Sequence, residues 1–574
     1  MSVVKVVFGK SREPANFYVG GEQISADTAF GMYRNKSRFV VGGKTLDVNR
    51  FGATQDIHEA AKQGLHKVVA KLAASGFDQH GPQWVDLDLR DEHGATPVLM
   101  AAYNGHHKAV RVLADKGANL DLAMKGGYTP VFLAAQEGHH EAVRVLANKG
   151  ANLDLRDKLW NTPVYMAAAE GHTNVVRLLA DKGANLDLAD EGGFTPVFVA
   201  AQNGHHKVVR MLADKGANLD LTQWERATPV LVAAQKGHHK VVRVLADKGA
   251  NLDLTMEGGA TPVLVAAQNG HHKVVRMLAD KGANLDLAME NGATPVYVAA
   301  HNGHLEVVRL LTDKRVNLDL ANNNGATPVY VAAENGHHKV VCVLACKGAN
   351  LDLADVDGVT PVLMAADSGH YKVVRVLADM GADLNLVNKI GYTPVFMAAH
   401  KGHLDVVRVL TDKGANLNLA DVDGVTPVFL AAQEGHHEVV RLLADKGANL
   451  DLADVDGVTP VHMAAQNGHH EVVRLLVDKG ANIFTPDKRK RTPLQRARTN
   501  GHKPVVRILE AREKRNIREI TTLFKKLRGR IGNQMAIRTL RLQGPNSEKL
   551  WFLKPEGVLE MAKRKTSRSK ALFG

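Results

Sequence analysis

From residue 96 to residue 511 the apolar and polar positions of this chain repeat in phase every 33 residues, and a related unit precedes them from residue 54. Residues 96–122 show one period. Thr96-Pro97 is followed by the apolar run Val98-Leu99-Met100-Ala101-Ala102 and a polar break at Asn104-Gly105-His106. A second block, His107 to Lys116, is apolar at Val110, Leu113 and Ala114 with charges between, and Gly117-Ala118-Asn119-Leu120-Asp121-Leu122 closes the unit. The first block predicts a short helix: Thr96 caps its first free amides and Pro97 takes the first helical position, where a missing N–H costs nothing. The second block has helical spacing, and Gly117 stands where helices end in a left-handed residue. Leu120-Asp121-Leu122 predicts a brief extended stretch, and a Gly two residues before the next Thr predicts a turn.

Thirteen Thr-Pro dipeptides keep this spacing without a break, from Thr96 to Thr492. A fixed period of this size means a solenoid, in which each unit buries its apolar face only against its neighbours. Thr-Pro-Val-x-x-Ala-Ala-x-x-Gly-His, a second helix, and Gly-Ala-Asn-Leu-Asp-Leu at 33-residue spacing resemble the ankyrin repeat over about residues 54–511. The resemblance implies an all-α dominated array of paired helices, with hairpin tips and first helices lining a concave face that binds protein. The chain departs from the family pattern at three places. Val replaces Leu after Thr-Pro, the following His survives only as His462, and the family's Asp-Val-Asn appears mostly inverted as Asn-Leu-Asp.

Fourteen units are expected, two of them caps. The first lacks Thr-Pro but keeps Ala60-Ala61, Gly64 and His66, with eight extra residues in its linking loop near Phe77 to Trp84. The last carries Arg498 in place of the second Ala, suited to a face that no repeat covers. Residues 1–53 form a leader with β-branched runs (Val3 to Phe8, Phe39 to Val41) and Gly-Gly turns. Residues 512–574 form a basic extension in which Ile517, Ile520, Leu523, Phe524, Leu527 and Ile531 share one side of a helix over 515–531.

Charge is uneven along the chain. The formal total of +13 divides into +12 over residues 512–574, +4 over residues 1–53 and −3 over the array. Two cysteines in 574 residues exclude a disulfide framework. No stretch reaches the roughly 20 apolar residues of a membrane span. These features lead to the expectation of a monomer in the cytosol or nucleus, without membrane contact.

Most of the 28 histidines lie at the helix–helix turn as Gly-His or Gly-His-His. Equivalent residues of neighbouring units stand roughly 8–10 Å apart, too far to share a zinc whose ligands lie about 2 Å away. They are expected to be structural. Cys342 and Cys346 replace an Arg and an Asp of the repeat, and a Cys-x3-Cys pair alone is a weak metal signal. No nucleophile–base set, phosphate loop or unrepeated carboxylate pair is present. No catalysis, metal or cofactor is expected.

Variation marks the candidate surface. The residues before Thr-Pro change from unit to unit and supply Tyr128, Trp160, Phe194, Trp224 and Arg226. The pair after Ala-Ala changes too and supplies Tyr103, Gln136, Gln235, His301 and His400. A constant scaffold with variation on one face is the pattern of a recognition surface for an unidentified protein partner. Trp160 and Arg226 replace the turn Gly, a substitution that carries a conformational cost. The basic clusters Lys488-Arg489-Lys490-Arg491 and Lys563-Arg564-Lys565 point to a second possibility, a nuclear regulator whose tail makes weak, nonspecific nucleic-acid contact.

Overall fold

The computed structural model describes five strands within residues 4–46, together with residues 53–74 and 86–531. The insertion expected near Phe77 to Trp84 and the cluster at Lys563-Arg564-Lys565 lie outside the described residues. The chain divides into two compact units, residues 1–290 and 291–574.

In the first unit the strands β1 (Val4–Val7), β2 (Asn16–Val19), β3 (Glu22–Ile24), β4 (Phe39–Val41) and β5 (Lys44–Leu46) form one sheet, ordered β3-β2-β1-β4-β5. β1 and β4 run parallel, and the other neighbours are antiparallel. Val19 pairs with Glu22 and Val41 with Lys44, so two residues separate the paired strands in each case, and the sequence there is Gly-Gly.

Helix pairs follow in both units. Thr96 is extended (φ −93°, ψ 162°), and its hydroxyl accepts from the amide of Leu99 at the head of helix Pro97–Tyr103. The same cap opens Pro130–Gln136, Pro196–Gln202 and Pro262–Gln268 in the first unit. In the second unit it opens Pro295–His301, Pro328–Glu334, Pro361–Asp367 and Pro394–Lys401. Each is followed by a nine-residue helix such as His107–Asp115 or Leu404–Asp412. First helices pack on first helices and second on second. Val98, Ala101, Ala102, Val110 and Leu113 have no exposed surface, and burial of each Val or Leu is worth about 1.5–3 kcal/mol. The Ala-Ala pair is small because two first helices meet across it.

Gly117, Gly150 and Gly183 end second helices at φ 89°, 83° and 85°, as the sequence predicts. A Cβ there would touch nothing, so backbone conformation alone selects glycine. Arg315 holds the equivalent position at φ 60° without that freedom.

Two expectations need correction. Leu120-Asp121 is a turn and not an extended stretch, because the side chain of Asn119 accepts the amide of Asp121 at 3.0 Å and folds the chain locally. The basic helix expected over 515–531 is the far end of a single helix, Lys503–Ile531, which begins as the second helix of the last repeat. Glu513 stands where other units have the stop Gly, so nothing ends the helix there.

Candidate functional site

The hairpin tips are built from a carboxylate inward. Asp91 accepts the amides of His93 and Ala95 at 2.9 and 2.8 Å, and Asp157, Asp190, Asp355, Asp421 and Asp454 fold their tips likewise. Successive tips are tied edge to edge: Lys158 N donates to Gly126 O at 3.0 Å, and Glu191 N to Leu159 O at 3.0 Å. The residue two before Thr is left-handed even where it is not Gly, with φ 66° at Trp160 and 63° at Arg226. Lys490, at φ 61°, is a third such residue that the reading of two exceptions missed. Each forfeits roughly 1–2 kcal/mol relative to Gly.

The aromatic residues read as surface divide into two kinds. Trp224 is 81% exposed and Trp160 53%, the latter with the Arg156 guanidinium 5.4 Å over its ring. Arg226 is exposed beside Trp224. Tyr128 and Phe194 are half-buried instead. Their rings lie 5.2 Å from Phe132 and 4.9 Å from Phe198, and they cover the core at the head of the first helix. Tyr103, Gln235 and His301 are exposed, and Gln136 and His400 half-buried, at the far end of first helices. Sequence reasoning missed a further set of tip residues: Leu159 in the first unit, and Val356, Ile390, Val422 and Val455 in the second, all exposed. The available signal for Val356, Val422 and Val455 was Asp-Val-Asp-Gly, an apolar residue that follows the carboxylate committed to the turn.

The turn histidines are structural. His139 Nε2 donates to Tyr103 O at 3.0 Å, His271 to Gln235 O at 3.0 Å, and His436 to His400 O at 3.0 Å, each reaching into the preceding repeat. Burial lowers His106 below the ordinary histidine range. A second ladder links closing residues: Asn152 N donates to Asp121 Oδ1 at 2.8 Å, and Asp383 N to Asp352 Oδ1 at 2.9 Å. Either order of Asn and Asp serves, since each side chain only accepts. On the second helices Lys149 meets Asp115 at 2.6 Å and Lys446 meets Asp412 at 2.7 Å. These exposed pairs are worth little individually. Among the described residues no three His, Cys, Asp or Glu converge as a metal site.

The basic cluster at the end of the array is only partly free. Arg491 and the buried Arg496 share Asp487, at 3.2 and 2.7 Å. Burial alone would raise the Asp487 carboxyl, but the Arg491 amide and the Arg496 guanidinium outweigh it and hold it down at about 2. Arg496 occupies an apolar position of the repeat and was not singled out from sequence. Arg498 is exposed and pairs with Glu510 at 2.7 Å. Lys488, Arg489 and Lys490 face solvent.

A family model described as ankyrin repeats in three copies matches seven overlapping stretches that together run from residue 57 to residue 518. The chain belongs to the ankyrin-repeat family. Ankyrin arrays are generally protein–protein interaction modules and typically non-catalytic scaffolds. No curated protein matches the chain. Within this ankyrin array the family histidine survives as His462, which is wholly buried. Its Nδ1 accepts from the Thr459 amide at 3.2 Å and its Nε2 donates to Arg491 O at 3.2 Å. Burial, then the nearby Arg496, push it down to about 4. No helix among the described residues is long and apolar enough to cross a membrane.

Proposed function

We propose that the protein is a non-catalytic scaffold that binds a partner protein along its hairpin tips and first helices, with Trp160, Trp224 and Arg226 at the centre of the contact. The observation that carries this reading is Trp224, a large apolar side chain left 81% exposed next to a strained Arg226. Neither the exposure nor the strain stabilises the array, and Trp and Arg are the side chains most enriched at binding hot spots. Tyr103, Gln136 and Gln235 extend the surface along the first helices of residues 1–290, where Tyr128 and Phe194 support it from beneath, and His301 and His400 hold the equivalent places on the first helices of residues 291–574. The partner acts on a monomer in the cytosol or nucleus.

The test compares proteins captured by the full chain with those captured by a Trp160→Ala/Trp224→Ala variant and by a back-face control, Lys248→Ala. A partner retained by wild type and the control but lost by the double variant supports the reading. Full affinity of the double variant for every captured protein moves the site elsewhere.

A second reading rests on the +12 of residues 512–574 together with exposed Lys488, Arg489 and Lys490. Here the tail touches nucleic acid while the array binds protein. Retention of DNA should fall steeply between about 50 and about 300 mM salt and should weaken when residues 532–574 are removed. Equal retention at both salt levels rejects it.

A further inference from the structure

Three positions on the second helices carry the same charged side chains almost throughout the array: an Arg, an Asp four residues later, and the Lys that follows 34 residues after that Asp. They converge in space. Lys347 meets Asp313 at 2.8 Å, Lys413 meets Asp379 at 2.5 Å, and Lys446 meets Asp412 at 2.7 Å. Asp247 pairs with Lys281 at 2.6 Å, and the charges of Arg243 on its own helix and Arg210 on the preceding one also hold its carboxyl below the usual range.

At one place all three residues change together. Cys342 replaces the Arg, Cys346 the Asp and Met380 the Lys. These are the only two cysteines of the chain, and both lie outside any disulfide. Cys342 is half-buried and Cys346 exposed, and the two stand four residues apart, one turn of the same helix, His338–Cys346. Met380 is exposed as well. The residue corresponding to Arg210 is Arg309. Three positions that elsewhere carry charges paired across repeats thus carry sulfur instead, and the helix Tyr371–Asp379, which Met380 follows, packs on the helix of the two cysteines. Random loss of a salt bridge would leave one unmatched charge. Here none of the three remains, and every replacement is a soft donor.

We propose that Cys342, Cys346 and Met380 form a binding site for a soft monovalent cation, copper(I), held by two thiolates and one thioether. Soft thiolate and thioether ligands select copper(I) over harder divalent ions. Entry of the cation displaces the two thiol protons to solvent, so the bound centre carries a net charge of −1. Arg309 stands where it offsets that charge. The copper enters already reduced, and no electron is transferred.

Anaerobic, reduced full-length protein is titrated with copper(I) against a chromogenic copper(I) chelator. Wild type should retain one cation per chain with release of two protons. The triple variant Cys342→Arg/Cys346→Asp/Met380→Lys restores the charged trio that neighbouring repeats fold with, so loss of binding in it cannot be assigned to unfolding. It should lose competition for the cation, and Met380→Leu should weaken binding by about tenfold. Three results would overturn the proposal: wild type that holds no more copper(I) than the triple variant, Met380→Leu that binds as wild type does, or zinc(II) retained as tightly as copper(I).

Discussion

The ring of His172 reaches back one repeat and places Nε2 2.9 Å from the carbonyl oxygen of Gln136. The same ring fills the space over Gly138, where an added Cβ would stand 2.6 Å from it, and Gly138 is left-handed at φ 76°. One glycine thus meets two demands, a local conformation and a neighbour's ring. Gly138→Ala should destabilise by about 2 kcal/mol or more, and His172→Ala by about 1 kcal/mol through the lost bond. In the double variant the ring is gone, so the two losses should sum to less than their separate values. Urea unfolding of the four proteins measures this, and strict additivity would show that ring and glycine do not interact.

Arg315 ends its helix at φ 60° where neighbouring units use glycine. Arg315→Gly should raise stability by about 1 kcal/mol. Solenoid units interact only with neighbours, so the gain should be concentrated in amide protection near residues 305–350. A lowered unfolding midpoint would mean that contacts of the arginine side chain outweigh its backbone strain.

Trp160→Gly separates stability from binding. Relief of φ 66° should stabilise the array by about 1 kcal/mol, while loss of the indole should weaken partner affinity by more than about 1 kcal/mol. A variant that is both more stable and fully active in binding would remove Trp160 from the proposed surface.

Acid should open the C-terminal end of the array first. His462 falls from 6.5 to about 4 on folding, chiefly through burial. The unfolded chain therefore takes up this proton more readily. Stability is fully present above about pH 6.5 and declines as pH falls toward 4, by on the order of 3 kcal/mol. Asp487, depressed to about 2, adds a loss that begins below about pH 4. Amide exchange at residues 459–500 measured from pH 7 to pH 4 should accelerate before that of earlier repeats. His462→Phe, the residue type of several other units, should remove the upper part of the profile. A uniform response along the array would count against both assignments.

The repeat period, the helix starts and the helix stops were legible in the sequence because each depends on chemistry within a few residues. Thr96 caps the amide three residues on, Pro97 needs only its own φ, and Gly117 answers to its own backbone. The departures at Trp160 and Arg226 were legible for the same reason: a residue at a glycine position is visible against a thirteenfold pattern.

What the sequence alone determined, then, was most of what local backbone preference sets, the units, their order and two of the three residues that break the turn-glycine rule; it missed Lys490, the turn that Asn119 folds at Leu120-Asp121, and the run-on of the last helix past Glu513. Only the tertiary structure decided which side chains meet. His172 and Gln136 are 36 residues apart, Asp121 and Asn152 are 31 apart, and Lys446 and Asp412 are 34 apart. It turned Tyr128 and Phe194 from surface into core cover, left Trp224 in solvent, buried Arg496 against Asp487, and packed the helix that leads to Met380 on the helix of Cys346. The physical reason is one of distance along the chain. A local conformation is chosen by neighbours in sequence, whereas burial and pairing are chosen by the adjacent repeat, whose approach depends on how the helices pack.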